Sequence, residues 1–176
     1  LQNPDERDGL QQWLDRVFTD RPNDVYGLLV ALSSIIHHEF TYSRREARGT
    51  QTALTTVERR SGTCRDFAFL FMECARLFGF AARFVTGYLH VRDDDDEAGF
   101  TGGGSTHAWA DIYVPGEGWL EFDPTNLIDD NQALIRIAVT RTPLQATPIS
   151  GTYARDEGQF LDMEVTVDVR AVPETD

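Results

Sequence analysis

Apolar residues recur every three or four positions through the first half of the chain and every second position through much of the rest. The first spacing marks one face of a helix and the second one face of a strand. Leu10, Trp13, Leu14 and Val17 predict a short helix over Gly9–Val17. Asp24 has the chemistry of an N-cap, and it precedes a longer apolar series from Leu28 to Ile36 that predicts a helix over Val25–Phe40. Polar turn residues fill Thr41–Thr50, and a third helix over Thr52–Arg60 stops before Gly62. The most hydrophobic helix is Cys64–Phe78, with Phe67, Leu70, Phe71, Cys74, Leu77 and Phe78 on one broad face. Gly79 supplies its C-terminal stop.

Beyond Gly79 the pattern shortens. Ala81–Val91, His107–Val114, Gly118–Phe122 and Leu134–Thr140 read as strands of a largely antiparallel sheet, with Pro115-Gly116-Glu117-Gly118 as a turn between two of them. The cleanest alternation comes last, where Met163, Val165, Val167 and Val169 interleave with Glu164, Thr166, Asp168 and Arg170. Helices followed by strands predict an α+β domain. No repeat or linker divides the chain, so residues 1–176 read as a single domain.

Composition narrows the function classes. Hydrophobic residues are 41% and charged residues 26% of the chain, which excludes a disordered or fibrous protein. A formal net charge of −13 argues against nucleic acid as a partner. All of the basic residues are arginine; there is no lysine. The apolar run Tyr26–Ile36 is short, and Ala68–Val85 is broken by Glu73, Arg76 and Arg83, so neither supplies the ~20 residues of a membrane span. Two cysteines are too few for a disulfide-stapled secreted scaffold, and no leader pattern is visible; the expectation is a cytoplasmic protein. The first residue, Leu1, leaves room for a processed form or an excised domain.

Three residues carry the chemistry. Cys64 opens the apolar helix, where the helix dipole and free N–H groups favour a thiolate. Cys74 lies ten residues on, roughly 15 Å along a helix, too far for the ~7 Å Cα separation of a disulfide, and reads as a buried inert thiol. His107 opens a strand just after Gly102-Gly103-Gly104-Ser105, where its ring can face a cleft and serve as a base. Asp123 ends the next strand, and the intervening turn brings it near the same sheet end as His107, where it can orient the imidazole.

The strings Gly62-Thr63-Cys64-Arg65-Asp66-Phe67-Ala68, Ala82-Arg83-Phe84-Val85-Thr86-Gly87-Tyr88, His107-Ala108-Trp109 and Gly118-Trp119-Leu120-Glu121-Phe122-Asp123-Pro124-Thr125-Asn126 resemble the bacterial transglutaminase-like superfamily. The resemblance runs from about Phe40 to Asn126 with all four blocks in order. It implies a papain-like core with Cys64 as nucleophile, His107 as general base and acid, and Asp123 as orienter. It also implies a peptide or protein substrate and no cofactor. Members include cysteine peptidases and amidases as well as transglutaminases, and many carry a β-sandwich ahead of the catalytic domain. Tyr42 stands where relatives place a tyrosine near the catalytic cysteine, a candidate oxyanion donor.

Other residues read more plainly. Trp109 and Trp119 suit sheet packing, or the walls of a substrate cleft together with the 92–106 loop. Asp66 suits a first-turn residue complementing the helix dipole, and His37, His38 and His90 suit surface or structural roles. Asp93-Asp94-Asp95-Asp96-Glu97 has Ala98 where a calcium loop needs glycine and reads as a solvated acidic loop. No cysteine and histidine spacing suggests a metal site. The reading that follows is acyl transfer from an amide through a Cys64 thioester, with hydrolysis preferred over transamidation; a non-catalytic binding or scaffold domain is the rival from another class. Oligomeric state stays open.

Overall fold

Side-chain caps set where two of the helices begin. The Asp24 carboxylate accepts from the Gly27 N–H at 2.6 Å, and the Thr52 hydroxyl oxygen accepts from the Thr55 N–H at 3.2 Å; each such cap is worth about 1 kcal/mol. The computed structural model describes residues 1–44, 49–90, 106–129, 134–147 and 167. Within them the helices are α1 Arg7–Val17, α2 Val25–Glu39, α3 Ala53–Arg59 and α4 Cys64–Leu77. The strands are β1 Thr41–Tyr42, β2 Ser61–Gly62, β3 Ala82–Leu89, β4 Thr106–Val114, β5 Gly118–Asp123, β6 Ile128–Asp129 and β7 Leu134–Thr140. Short 3-10 turns lie at Pro4–Glu6 and Pro143–Ala146.

The main sheet has the order β6-β5-β4-β3-β7 with every neighbour antiparallel, as the α+β reading requires. Helix α4 is buried almost all round, from Cys64 to Ala75. It packs on β3 and β4 on one side and against α1, α2 and α3 on the other. That two-sided burial explains why its sequence is apolar well beyond a single stripe. Phe67, Leu70 and Phe71 meet Phe84, Ala108, Ala110, Ile112 and Phe122 in one core, where Phe71 and Phe122 stack with centroids 5.4 Å apart. Burying one such phenylalanine contributes about 1.5–3 kcal/mol.

A smaller apolar cluster of Val85, Leu89, Trp109 and Leu134 is separate from that core. Strand alternation assigns it to the sheet face away from α4. Gly87 sits at a register shift between β3 and β7; a β-carbon there would collide with the Ile135 carbonyl oxygen and lie 2.9 Å from Trp109 Cη2. The expected final strand around Met163–Arg170 lies outside the described residues except for Val167, as do the Asp93–Glu97 and Gly102–Ser105 stretches. Among the described residues no helix is long and apolar enough to cross a membrane.

Candidate active site

The loop before α4 is tied down by one carboxylate. Asp66 Oδ2 accepts from the Thr63 N–H at 2.8 Å and the Thr63 hydroxyl at 3.0 Å, while Oδ1 accepts from the Gln51 N–H at 2.6 Å. Gly62 makes this approach possible, because a β-carbon there would lie 2.8 Å from Asp66 Cβ. Asp66 is thus both a helix-start anion and the clamp that fixes the backbone leading into Cys64. Arg65 adds a second tie: its guanidinium donates to the Pro143 carbonyl oxygen at 2.8 Å and lies over the Phe84 ring. Cys64 itself is 7% exposed and forms no disulfide.

The two-residue strands β1 and β2 pair in parallel, with Tyr42 beside Gly62, and so deliver Tyr42 next to the start of α4. Burial pushes the Tyr42 phenol pKa up, and the charges of Cys64 and Asp123 push the same way against Arg44. The phenol therefore lies within electrostatic reach of both residues.

His107 and Asp123 are fully buried partners, with Nε2 to Oδ2 at 2.7 Å. Strand β4 pairs with β5 through Ala110 and Phe122. Continuing that register would set Asp123 across from Trp109, so His107 reaches the carboxylate diagonally, within range for a ring this long. Asp123 is oriented in turn by the Thr125 N–H on Oδ1 at 2.8 Å and by Asn126 Nδ2 on Oδ2 at 3.0 Å. The backbone of His107 is anchored too, its carbonyl accepting from the Thr86 hydroxyl at 3.0 Å.

With Nε2 committed to Asp123, Nδ1 is the buried ring nitrogen left without a protein hydrogen bond. Burial alone would lower the His107 pKa, but Asp123 and Cys64 outweigh it and push it up to about 10. The thiol is close enough to add to that rise while falling short of full hydrogen-bond geometry at Nδ1. A cysteine at a helix start, an imidazole and a buried carboxylate are thereby brought together.

The sequence profile of the transglutaminase-like superfamily matches residues 12–124. The chain belongs to that superfamily. An uncharacterized protein of Mycobacterium tuberculosis is 32% identical over 178 residues, covering 95% of this chain and 54% of that protein. An uncharacterized Mycobacterium leprae protein is 32% identical over 116 residues, covering 66% and 40%. The chain spans about half the length of the curated relatives it matches most fully. Among solved structures, a candidate cysteine protease of Cytophaga hutchinsonii superposes with a TM-score of 0.64 at 28% identity, covering 80% of this chain and 44% of that one. The periplasmic domain of TgpA from Pseudomonas aeruginosa shares the fold, with a TM-score of 0.50 at 24% identity over 69% of this chain and 45% of that one.

Two sequence expectations for this transglutaminase-like domain need correcting. Trp119 pairs with Tyr113 beside the β4–β5 turn, six residues along β4 from His107, or roughly 20 Å at the strand rise. There it carries the Arg83 guanidinium 3.7 Å over its ring and walls no cleft at His107. Trp109 is 0% exposed, so it offers no face to a substrate; its ring stacks near that of His107 instead. His37 does take a structural role, with Nδ1 3.0 Å from the Thr125 carbonyl oxygen in the turn that holds Asp123. Sequence reasoning gives Thr125 and Asn126 no role of their own; Asp-x-Thr, with a carboxylate bonding the backbone two residues on, is the local signal for Thr125. Among the described residues no cluster of three histidine, cysteine or acidic side chains is placed to hold a metal ion.

The two thiols should differ sharply in reactivity. Cys74 is fully buried and its pKa is pushed strongly up by burial and by Glu73, whereas Cys64 stands at a helix start beside His107. Brief iodoacetamide treatment near neutral pH, followed by peptide mapping, should find Cys64 alkylated well ahead of Cys74. Faster labelling of Cys74 would remove Cys64 as the nucleophile.

Proposed function

We propose that this domain catalyses cysteine-dependent acyl transfer from peptide or protein amides, with water as the usual acceptor. The observation that carries the proposal is the meeting of Cys64, His107 and Asp123, with His107 Nε2 held on Asp123 and Nδ1 left for the thiol. A His107 pKa pushed up to about 10 keeps the ring protonated at neutral pH beside Cys64, the state needed for a thiolate–imidazolium pair.

The chemistry then runs in two halves. The Cys64 thiolate attacks the amide carbonyl carbon, and the carbonyl π electrons move to oxygen. The backbone N–H groups at the start of α4 and the Tyr42 hydroxyl are the donors this reading assigns to that oxyanion. As the C–N bond breaks, His107 delivers its proton to the departing amine and a thioester remains on Cys64. His107, now neutral, takes a proton from water as the water oxygen attacks the thioester. Collapse expels the thiolate, releases the carboxylic acid and restores the ion pair. The acidic surface favours basic or neutral peptides as substrates.

Hydrolysis is preferred to transamidation because water, at roughly 55 M, is the default acceptor for an acyl-enzyme. The similarity to a candidate cysteine protease points the same way. Lacking lysine, the chain cannot form glutamine–lysine polymers of itself under either outcome. Peptide amides incubated with millimolar amine should yield free acid as the main product by mass detection. Dominant amine incorporation would replace hydrolysis with transamidation and leave the three residues in their roles.

A further inference from the structure

Behind the His107 imidazole lies a second layer of side chains. The Trp109 ring is inclined only 26° to the imidazole, with centroids 6.3 Å apart. Its indole N–H donates to Glu121 Oε1 at 3.1 Å. The same oxygen accepts from Arg136 Nε at 3.2 Å and Nη2 at 2.6 Å. Arg136 also lies 3.6 Å from buried Asp111, whose other oxygen is held by Arg83 at 2.8 Å. Val85, Leu89 and Leu134 pack with the indole, and the missing β-carbon of Gly87 leaves space for its outer edge.

We infer that Trp109, held in place by Glu121 and Arg136, is a positioning residue that fixes the plane of the His107 ring so that Nδ1 stays aimed at Cys64. The inference rests on the acyl-transfer reading above. Asp123 fixes one nitrogen of the ring, and a single hydrogen bond leaves the ring free to rock about that contact. A flat, immobile neighbour on one side removes that freedom. Merely sheltering the indole N–H would need only one acceptor. Here the acceptor is itself clamped by an arginine, which is itself close to a second buried carboxylate. Every layer therefore adds to the rigidity of the indole.

The test reads the Cys64–His107 pair directly and needs no substrate. The rate of Cys64 alkylation by iodoacetamide is followed against pH in the wild type and in Glu121→Leu, Glu121→Gln, Trp109→Phe and His107→Ala, with thermal unfolding checked for each. Glu121→Leu removes the acceptor, so the alkylation profile should move toward higher pH, each unit of displacement slowing labelling at neutral pH about tenfold. Glu121→Gln should retain most of the wild-type profile, because the amide oxygen, with two lone pairs, can still accept from the indole N–H and from one arginine N–H. Trp109→Phe keeps a ring but loses the N–H, and should shift the profile the same way by less; it serves if Glu121→Leu does not fold. None of these changes removes the ionisable groups near the pair, Asp123, Tyr42, Arg65 and Asp66.

Folded Glu121→Leu and Trp109→Phe proteins with wild-type profiles would overturn the positioning role. So would Glu121→Gln shifted as far as Glu121→Leu, which would make charge the cause. His107→Ala should slow Cys64 alkylation at neutral pH. If it does not, the acyl-transfer reading itself falls, and the inference with it.

Discussion

Cys64→Ala should lower amide turnover by about 10⁶-fold, the scale on which loss of a covalent nucleophile acts in a hydrolase triad. No other thiol can take its place: Cys74 is fully buried farther along α4, and burial holds it protonated. The fold should survive, because Cys64 lies at the margin of the core at a helix start whose backbone is fixed by Asp66. Initial rates with circular dichroism on the same samples check both halves. A folded Cys64→Ala protein with undiminished turnover would leave only a different nucleophile. Wild-type protein that turned over no amide while retaining partner binding would favour the scaffold reading instead.

Asp123→Asn should cost ~10⁴ in turnover, the penalty of a wrongly held imidazole tautomer. The carboxylate accepts from His107, Thr125 and Asn126. An asparagine amide placed against Nε2 donates to it, which forces the ring proton onto Nδ1, where it blocks proton uptake from the thiol or from water. The same change alters the pH dependence of stability. His107 rises from 6.5 to about 10 in the folded protein, so its contribution is fully present below 6.5 and is lost as pH climbs through about 10. Without the Asp123 charge that rise shrinks. The fall in unfolding temperature of the wild type across this window should therefore be smaller in Asp123→Asn. Equal slopes would contradict the assignment of His107's charge to Asp123.

Much of this was legible in the residue pattern because period and chemistry agreed. Helix α4 declared itself through its apolar density, its start at Cys64 through the Gly62-Thr63 that precedes it, and the His107–Asp123 meeting through hairpin counting. What the pattern missed depends on pairings too short or too distant to leave a period. Strands β1, β2 and β6 are two residues each, yet β1–β2 is what sets Tyr42 beside Cys64. The Glu121–Arg136 contact joins β5 to β7, strands separated in the sheet by β4 and β3, so no local rule links them. Trp119 was a different case. The Pro115–Gly118 turn implies that a residue just past it lies at the far end of the hairpin from His107, which is incompatible with a place in a cleft at His107.

The central claim is that Cys64 carries the acyl group, and a peptide-amide library incubated in parallel with the wild type and with Cys64→Ala tests it most directly. Mass detection separates acid from amine-substituted products in the same run. The account predicts acid products from the wild type, none from Cys64→Ala, and a wild-type acyl adduct mapping to the Cys64 peptide when the reaction is quenched in acid. Equal product from both proteins, or an adduct on any other residue, would contradict it.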